Sequence, residues 1–275
     1  MITVITPCFN SEQHIERTIC SVLQQKETTD VEYLVIDGGS TDKTMDIVNH
    51  YRNQIDKVVS EKDRGIADAY NKGIRLALGD LIGIVAADDR LVPNVLRRVA
   101  DEYDGKSDVF VGNNIADVGT SRFRLVQSER NLNELRYRMS ICHPSMLVSK
   151  SAYEKYGVYS LDYRSAMDRE LTLRFYMKGA TFQFSNLYIN IFTSYGGIST
   201  SDTSIPDRED DLISEKYGLS REEVQEYRTI CNKKNNSLRG KVIKFISQAT
   251  PERIKTVRAR KNPYYIFEDD IRKLY

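Results

Sequence analysis

The first half of the chain repeats one pattern: a short apolar stretch, a polar loop and then an amphipathic segment. The apolar stretches, which predict strands, are Ile2 to Cys8, Val31 to Ile36, Val58-Val59 and Leu81 to Ala87. The amphipathic segments, which predict helices, are about Glu12 to Gln25, Lys43 to Tyr51 and Ile66 to Leu78, and another begins near Pro93. Strands that alternate with helices in this way predict an α/β fold with a largely parallel sheet and helices on both faces.

Each predicted strand is followed by side chains that could bind a ligand. In chain order these are Thr6, Pro7, Phe9 and Asn10 at the first strand, then Asp37, Asp63 and the pair Asp88-Asp89. Taken singly, Asp37 suits a turn beside Gly38, and Phe9 suits a hydrophobic core. The carboxyl ends of parallel strands form the ligand-binding edge of such sheets, so we expect these side chains to share one site.

Asp88 and Asp89 end an apolar run that has the features of a fully buried strand. Two adjacent carboxylates there repel each other and lose hydration, so a bound cation would stabilise them. The alternative is that one of them caps the helix near Pro93 while the other is solvated. No GxGxxG follows the first strand and no GxxxxGK[ST] occurs in the chain, which favours a nucleoside diphosphate with a divalent metal over a dinucleotide.

Over about residues 1–197 the chain resembles a family 2 glycosyltransferase of the GT-A fold. The segments that carry the resemblance are VITPCFNSEQHIERTICSVLQQ, YLVIDGGSTDKTMDIV, SEKDRGIADAYNKGI, GDLIGIVAADD, CHPSMLVSKSAYEKYG and MDRELTLRF. The resemblance implies a Rossmann-like, mostly parallel sheet flanked by helices. It also implies an inverting transferase that uses a nucleotide-activated sugar, here a UDP-sugar, together with Mn²⁺ or Mg²⁺.

The resemblance further implies a role for each matching residue on the donor side. It places the nucleobase of the donor against Thr6, Pro7, Phe9 and Asn10, and the contacts to uracil and ribose at Asp37. The walls of the donor pocket are then Asp63, Asp68, Asn71 and Asp88, and the metal is at Asp89. Many family members have Asn or Ser before the acidic pair, where this chain has Ala86-Ala87. The metal shell is therefore expected to depend more on water and on diphosphate oxygens.

The second half of the chain is expected to supply the catalytic base. Inversion needs an acceptor hydroxyl to lose its proton to a carboxylate. Asp168 precedes a helical face formed by Leu171 and Phe175, at a position where backbone dipoles stabilise an acid. An ordinary helix-start Asp has the same position; the resemblance favours Asp168 as the base, with Glu170 as the alternative. His143 is expected near the acceptor, or else as a loop histidine.

Charge is unevenly distributed along the 275 residues, whose formal net charge is +1. Residues 233–262 carry ten Lys or Arg against Glu252 alone, so the rest of the chain is acidic. We predict a catalytic domain over 1–200, with a nucleotide-binding half (1–105) and an acceptor-side half (106–200), and a helical, basic extension over 201–275. An apolar stripe edged with cations over 238–261 suits an anionic membrane surface, packing on the catalytic domain, or a partner subunit.

These features together predict a cytoplasmic enzyme that moves a sugar from a nucleotide-sugar to a glycan or lipid-linked glycan. Its four cysteines lack metal-ligand spacing, and neither a leader nor an apolar run of membrane-spanning length is seen. Binding through 238–261 would make the enzyme peripheral on the inner face of the membrane. A nucleotidyltransferase is the alternative enzyme, but it would need a basic, Gly-rich loop after the first strand. Nucleic-acid binding through the basic tail would leave the strand-end acids unexplained, so no nucleic-acid partner is expected.

Overall fold

A computed structural model describes residues 1–119, 122–193, 204–235, 265–266 and 271 of the chain. The strands are β1 (Ile2–Cys8), β2 (Val31–Asp37), β3 (Lys57–Ser60), β4 (Leu81–Ile84), β5 (Arg90–Leu91), β6 (Val109–Asp117), β7 (Phe123–Val126), β8 (Met146–Ser149), β9 (Phe182–Thr193) and β10 (Tyr265–Ile266). The α-helices are α1 (Ile15–Gln25), α2 (Thr44–His50), α3 (Ile66–Leu76), α4 (Val95–Glu102), α5 (Lys150–Tyr156), α6 (Met167–Met177), α7 (Ser204–Lys216) and α8 (Arg221–Asn235). Short 3-10 helices lie at Leu132–Arg136 and His143–Ser145.

The first four strands form the parallel sheet that the repeat predicts, in the order β3-β2-β1-β4. Every residue of β1 and β2 is buried, as expected for strands covered by helices on both faces. The register pairs Cys8 with Asp37 and Asp37 with Ser60. The carboxyl ends of β1, β2 and β3 therefore lie side by side.

Beyond β4 the sheet is mixed. β8 pairs antiparallel with β4, β6 with β8, and β7 with β6. The sequence analysis did not predict β9, which runs parallel to β6 and antiparallel to β5 through the pair Arg90 and Ile191. β4 ends at Ile84 and not at Ala87, because the chain turns after Val85 and then enters β5. The predicted α/β class is confirmed, and β9 links the acidic turn to the second half.

Helices cover the sheet with two hydrophobic layers. One layer contains buried residues of α1 and α4, such as Ile19 and Val95, and the other contains residues of α3, α5 and α6, such as Ile74 and Phe175. Ile213 of α7 is fully buried in the second layer. The first helix of the predicted extension thus packs on the catalytic domain. The stripe predicted over 238–261 lies outside the described residues, and among the helices that are described none is long and apolar enough to cross a membrane.

Arg169 joins α6 to α7 and is only 1% exposed. Its guanidinium donates to the backbone oxygens of Leu135 (3.1 Å) and Arg136 (2.5 Å), and on α7 to the backbone oxygen of Asp210 (2.7 Å) and to Ser214 Oγ (2.8 Å). It also forms a salt bridge of 3.0 Å with the Asp210 carboxylate. A buried cation with this many partners holds three segments together.

Arg169→Met should therefore lower the free energy of unfolding by about 3–5 kcal/mol, because the Asp210 carboxylate loses a buried cation and the backbone oxygens of Leu135, Arg136 and Asp210 each lose a hydrogen bond. Denaturant unfolding measures this loss. Arg97→Met is a matched control, since Arg97 is exposed and pairs, within the described part of the chain, with Asp101 on its own helix. We expect a loss below about 1 kcal/mol there. Equal losses in the two variants would show that Arg169 does not hold α7.

Candidate active site

Three strand ends form one wall of the candidate site. A side-chain carbon at Gly38, after β2, would lie 2.8 Å from Asp63 Oδ2 and 3.5 Å from Phe9 Cδ2. Asp63 follows β3 and Phe9 follows β1, so Gly38 leaves a narrow space between them. The Phe9 ring is 60% exposed. An exposed aromatic ring and a carboxylate therefore face each other at the edge predicted to bind a nucleotide.

Asn10 fixes the loop that follows β1. Its backbone has a φ of 47°, a left-handed conformation that Asn adopts more readily than most residues. The Asn10 side-chain oxygen accepts a hydrogen bond from Thr41 N (2.9 Å), and Asn10 N donates to Ser40 Oγ (2.8 Å). These contacts join the loops after β1 and β2, so the position of Phe9 depends on Asn10.

Thr6, Pro7 and Asp37 are buried beneath these loops, and their contact with the nucleotide stays a prediction. Thr6 accepts a hydrogen bond from Tyr33 Oη (3.1 Å), and Pro7 lies within the sheet. Asp37 has no exposed surface and accepts hydrogen bonds from the Ser40 backbone (3.1 Å to Oδ2), Ser40 Oγ (2.5 Å) and Ser60 Oγ (2.6 Å). Its carboxylate shapes the loop, a role that strand periodicity alone does not reveal.

Lys72 of α3 forms ion pairs with the acidic residues that follow β3. Its Nζ contacts Asp63, lies 3.0 Å from a Glu61 oxygen and lies 3.6 Å from Asp68 Oδ2. Burial of Asp68 opposes its ionisation, but the hydrogen bond from Arg64 N and the charges of Lys72 and Arg64 outweigh burial and lower the pKa of Asp68. Sequence analysis did not single out Lys72, although it lies one turn after Asp68. The pocket wall predicted at Asp63 and Asp68 is thus an ion-paired cluster.

Asn71, predicted to line the donor pocket, bonds the backbone of the second half of the chain. Its Nδ2 donates to the backbone oxygen of Tyr159 (2.8 Å), and its Oδ1 accepts from Tyr159 N (2.9 Å). Asn71 is buried. The amide therefore joins α3 to the segment before α6 and connects the two halves of the site.

The two carboxylates of the Asp88-Asp89 pair have different surroundings. Asp89 is 5% exposed; its Oδ2 accepts from Asn190 Nδ2 (2.9 Å) and its Oδ1 from Thr193 N (3.1 Å), both on β9. Burial, and then the charge of Asp88, raise the pKa of Asp89 to about 7. Asp88 is half-buried, and no described residue donates a hydrogen bond to its carboxylate. Asp88 is therefore the member of the pair that is available to a ligand.

Two residues of α1 that the sequence analysis did not select hold the acidic turn. Arg17 donates to the backbone oxygen of Asp88 (2.7 Å) and to Thr193 Oγ1 (2.8 Å). Thr18 Oγ1 lies within hydrogen-bond distance of the backbone oxygens of Ala87 (2.8 Å) and Asp89 (2.6 Å). Arg17 and Thr18 lie within an amphipathic helix and belong to no recognisable motif, so their role becomes visible only in the folded structure.

Asp168 lies on the other side of the site, in the first turn of α6. Its Oδ1 accepts from Arg169 N (2.7 Å). Burial raises the pKa of the nearby Tyr70 hydroxyl, and the charges of Asp168 and of the Asp88-Asp89 pair raise it further. The charges of both sets of carboxylates therefore act on the pKa of the Tyr70 hydroxyl. The sequence analysis did not single out Tyr70, although it lies on α3 between Asp68 and Asn71.

His143 belongs to an aromatic cluster beside Asp168. Its Nε2 is 2.7 Å from Tyr159 Oη, and its ring stacks on Tyr70 with centroids 6.1 Å apart. Burial lowers the pKa of His143 against the opposing charge of Asp168, so the ring is neutral at pH 7. The role near the acceptor predicted for His143 stays a prediction, as does the alternative of a loop histidine.

Glu170, the alternative predicted for the acceptor side, is buried and ion-paired, and its acceptor role stays a prediction. Its side chain is 1% exposed and forms a salt bridge with Arg174 (3.1 Å). It also contacts Lys216 Nζ (3.2 Å) and accepts from Tyr217 Oη (3.0 Å), near the end of α7. Burial opposes ionisation, but the hydrogen bond and charge of Arg174 and the contacts from Tyr217 and Lys216 lower the pKa of Glu170. Glu170 is thus an ion-pair partner within the protein.

The residues present fit a divalent metal that binds together with a diphosphate. No three His, Cys, Asp or Glu side chains converge as a complete metal site in the part of the chain that the structure describes. Hard divalent cations such as Mg²⁺ often use only one or two protein carboxylates and complete their shell with water and phosphate oxygens. Asp88 offers such a carboxylate, whereas the oxygens of Asp89 already accept hydrogen bonds.

Comparison with known proteins agrees with this fold. Residues 3–157, more than half of the chain, match the model of Glycosyl transferase family 2. A "PGL/p-HBAD biosynthesis glycosyltransferase" of Mycobacterium bovis is 28% identical over 209 residues, which cover 73% of this chain and 80% of that protein. The chain therefore belongs to glycosyl transferase family 2 and is a glycosyltransferase.

Solved structures show the same fold. S. aureus TarS 1-349 in complex with UDP-GlcNAc aligns with a TM-score of 0.64 and 24% identity over 82% of this chain and 68% of that chain. The mannosyltransferase PcManGT from Pyrobaculum calidifontis, in complex with GDP-Man and Mn²⁺, aligns with a TM-score of 0.56 and 16% identity over 94% of this chain and 79% of that chain. These similarities confirm the predicted GT-A fold.

Proposed function

We propose that this glycosyltransferase moves one sugar, with inversion, from a UDP-sugar to a hydroxyl of a glycan or lipid-linked glycan. The observation that carries the proposal is that the exposed Phe9 ring and the Asp63 carboxylate border the space above Gly38, at the sheet edge where the half-buried Asp88 follows β4. A single displacement needs a leaving-group site and a base on opposite sides of the sugar. The UDP-GlcNAc bound to TarS and the name of the mycobacterial relative support a UDP-sugar and a role in glycolipid or cell-surface glycan synthesis.

On the donor side, the exposed Phe9 ring would stack on the base, and Asn10 would hold it in place. Asp63 lies next to the space above Gly38, where a ribose hydroxyl could donate to it. Glycine is needed there because any side chain would fill the space between Phe9 and Asp63. Asp37 and Thr6 would act indirectly, by supporting these loops from below.

Asp88, and not Asp89, would hold the divalent metal, since only Asp88 has a carboxylate without a hydrogen bond from the described residues. When bound, the metal neutralises the negative charge that develops on the departing diphosphate. The Mn²⁺ in the PcManGT complex supports this requirement. Arg17 and Thr18 would fix the backbone of the acidic turn, so that the Asp88 carboxylate stays directed at the diphosphate.

On the acceptor side, Asp168 would take the proton of the attacking hydroxyl. Arg169 N holds Oδ1, while no described residue donates a hydrogen bond to Oδ2. Neutral His143, held by Tyr159, would orient the acceptor without adding a charge that competes with the base. A positioned base of this kind accelerates proton transfer by about 10²–10⁴-fold.

A panel of nucleotide-sugars tests the proposed function. We expect release of UDP from one UDP-sugar, dependent on Mn²⁺ or Mg²⁺ and abolished by a chelator. GDP-, CMP- and dTDP-sugars serve as controls that test which nucleobase the enzyme accepts. Release of pyrophosphate from a nucleoside triphosphate, without UDP release from any UDP-sugar, would contradict the proposal and favour a nucleotidyltransferase.

The location of the enzyme remains a prediction from sequence. The basic, amphipathic segment over 238–261 would bind an anionic membrane surface and make a cytoplasmic enzyme peripheral at the inner face of the membrane. Such a location would suit a lipid-linked acceptor. The same segment could pack on the catalytic domain or on a partner subunit.

A further inference from the structure

Glu209 of α7 binds three consecutive backbone N–H groups in the turn just before α6. Its Oε1 accepts from Arg164 N (2.8 Å), and its Oε2 accepts from Ser165 N and Ala166 N (both 2.8 Å). The N-cap of α6 is Ala166, whose side chain cannot accept a hydrogen bond. Glu209 therefore supplies, from more than forty residues away in sequence, the carboxylate that a local capping residue usually provides.

The two residues that follow Asp168 in sequence, Arg169 and Glu170, are also held by α7 and by Tyr217, the residue after α7. Arg169 donates to Ser214 and pairs with Asp210, and Glu170 accepts from Lys216 and Tyr217. The backbone before and after Asp168 is thus fixed. The Asp168 carboxylate itself makes no hydrogen bond with α7 among the described contacts.

We propose that Glu209 is a positioning residue for the catalytic base, and that α7 acts as a clamp that sets where the Asp168 carboxylate lies. This inference rests on the proposed role of Asp168. Without Glu209, three N–H groups at the start of α6 lose their acceptor, and the first turn of the helix is free to shift. Catalysis is sensitive to such a shift, because a displacement of about 1 Å can cost about 10²-fold in rate.

The proposal distinguishes positioning from simple stabilisation. Among the described residues, Glu209 bonds the turn before α6 and has no hydrogen bond to the acidic turn or to the loops around Phe9, so its loss should leave donor binding intact. Its effect should also depend on the base that it positions. Once residue 168 can no longer accept a proton, a shift of its side chain does not lower turnover further. Substitutions of Glu209 and of Asp168 should therefore be non-additive.

The test compares Glu209→Ala with Glu215→Ala in the full-length protein, alone and combined with Asp168→Asn. Glu215 is a matched control on the same helix, because it pairs with exposed Arg221 instead of contacting the turn before α6. We expect Glu209→Ala to lower turnover of the best UDP-sugar of the panel by at least about 10-fold. Calorimetry with UDP and Mn²⁺ should give an affinity within about twofold of the unmodified protein, and Glu215→Ala should change neither quantity.

Hydrogen exchange provides a readout that does not depend on activity. The amides of residues 164–166 should exchange faster in Glu209→Ala but not in Glu215→Ala. If Glu209→Ala does not fold, Glu209→Gln replaces it, since Gln keeps one acceptor oxygen and should lose part of the turnover.

Two results would overturn the inference: unchanged turnover in the Glu209 variant, or a full additional loss when it is combined with Asp168→Asn. Ordinary turnover in Asp168→Asn alone would instead refute the proposed base. The failure of the clamp and the failure of the proposed function are therefore separate outcomes.

Discussion

Asp168→Asn is expected to lower turnover by at least about 10²-fold while leaving the affinity for UDP and Mn²⁺ unchanged. Asn has nearly the shape of Asp, so it can still accept from Arg169 N at the start of α6. It cannot take a proton from the acceptor hydroxyl. Steady-state turnover at saturating donor, together with calorimetry for UDP, measures the two effects separately.

Asp162→Asn is the control for this substitution, because Asp162 is an exposed acid a few residues earlier whose carboxylate accepts a hydrogen bond from its neighbour Ser160. We expect it to retain normal turnover. A fall in UDP affinity with unchanged turnover at saturation in Asp168→Asn would instead identify Asp168 as a binding residue.

Asp88→Asn should abolish metal-dependent UDP binding and lower transfer by at least about 10²-fold, because the diphosphate loses its link through the metal to the protein. Asp89→Asn is the matched comparison. It keeps an acceptor for Thr193 N and leaves Asp88 in place, so Mn²⁺-dependent UDP binding should persist. Calorimetric titration of UDP with and without Mn²⁺ measures this difference.

The opposite result is equally informative. If Asp89→Asn loses Mn²⁺-dependent UDP binding and Asp88→Asn keeps it, the metal contact lies at Asp89, as the sequence analysis predicts. Thermal unfolding of both variants shows whether either loss reflects a misfolded acidic turn.

The sequence was sufficient for the features that repeat or that lie at strand ends. The alternation of apolar and amphipathic segments predicts β1 to β4 and the helices between them, because burial on both faces demands continuous apolar strands. Phe9, Asp63 and Asp88 follow from the same pattern, since parallel strands bring their carboxyl ends to one edge. Asp168 was selected because it matches a motif at the start of a helix. Its separation in sequence from the acidic pair did not predict where it lies relative to that pair in the fold.

Tertiary structure decided which of these side chains are free to act. Asp88 and Asp89 are chemically identical neighbours, and only the pairing of β5 with β9 brings Asn190 and Thr193 to Asp89. Asp37 and Glu170 are acids in promising positions, yet their oxygens accept hydrogen bonds from residues of other elements. A carboxylate's role depends on the partners that fold against it. Those of Asp89 lie 101 and 104 residues further along the chain, where sequence periodicity carries no information.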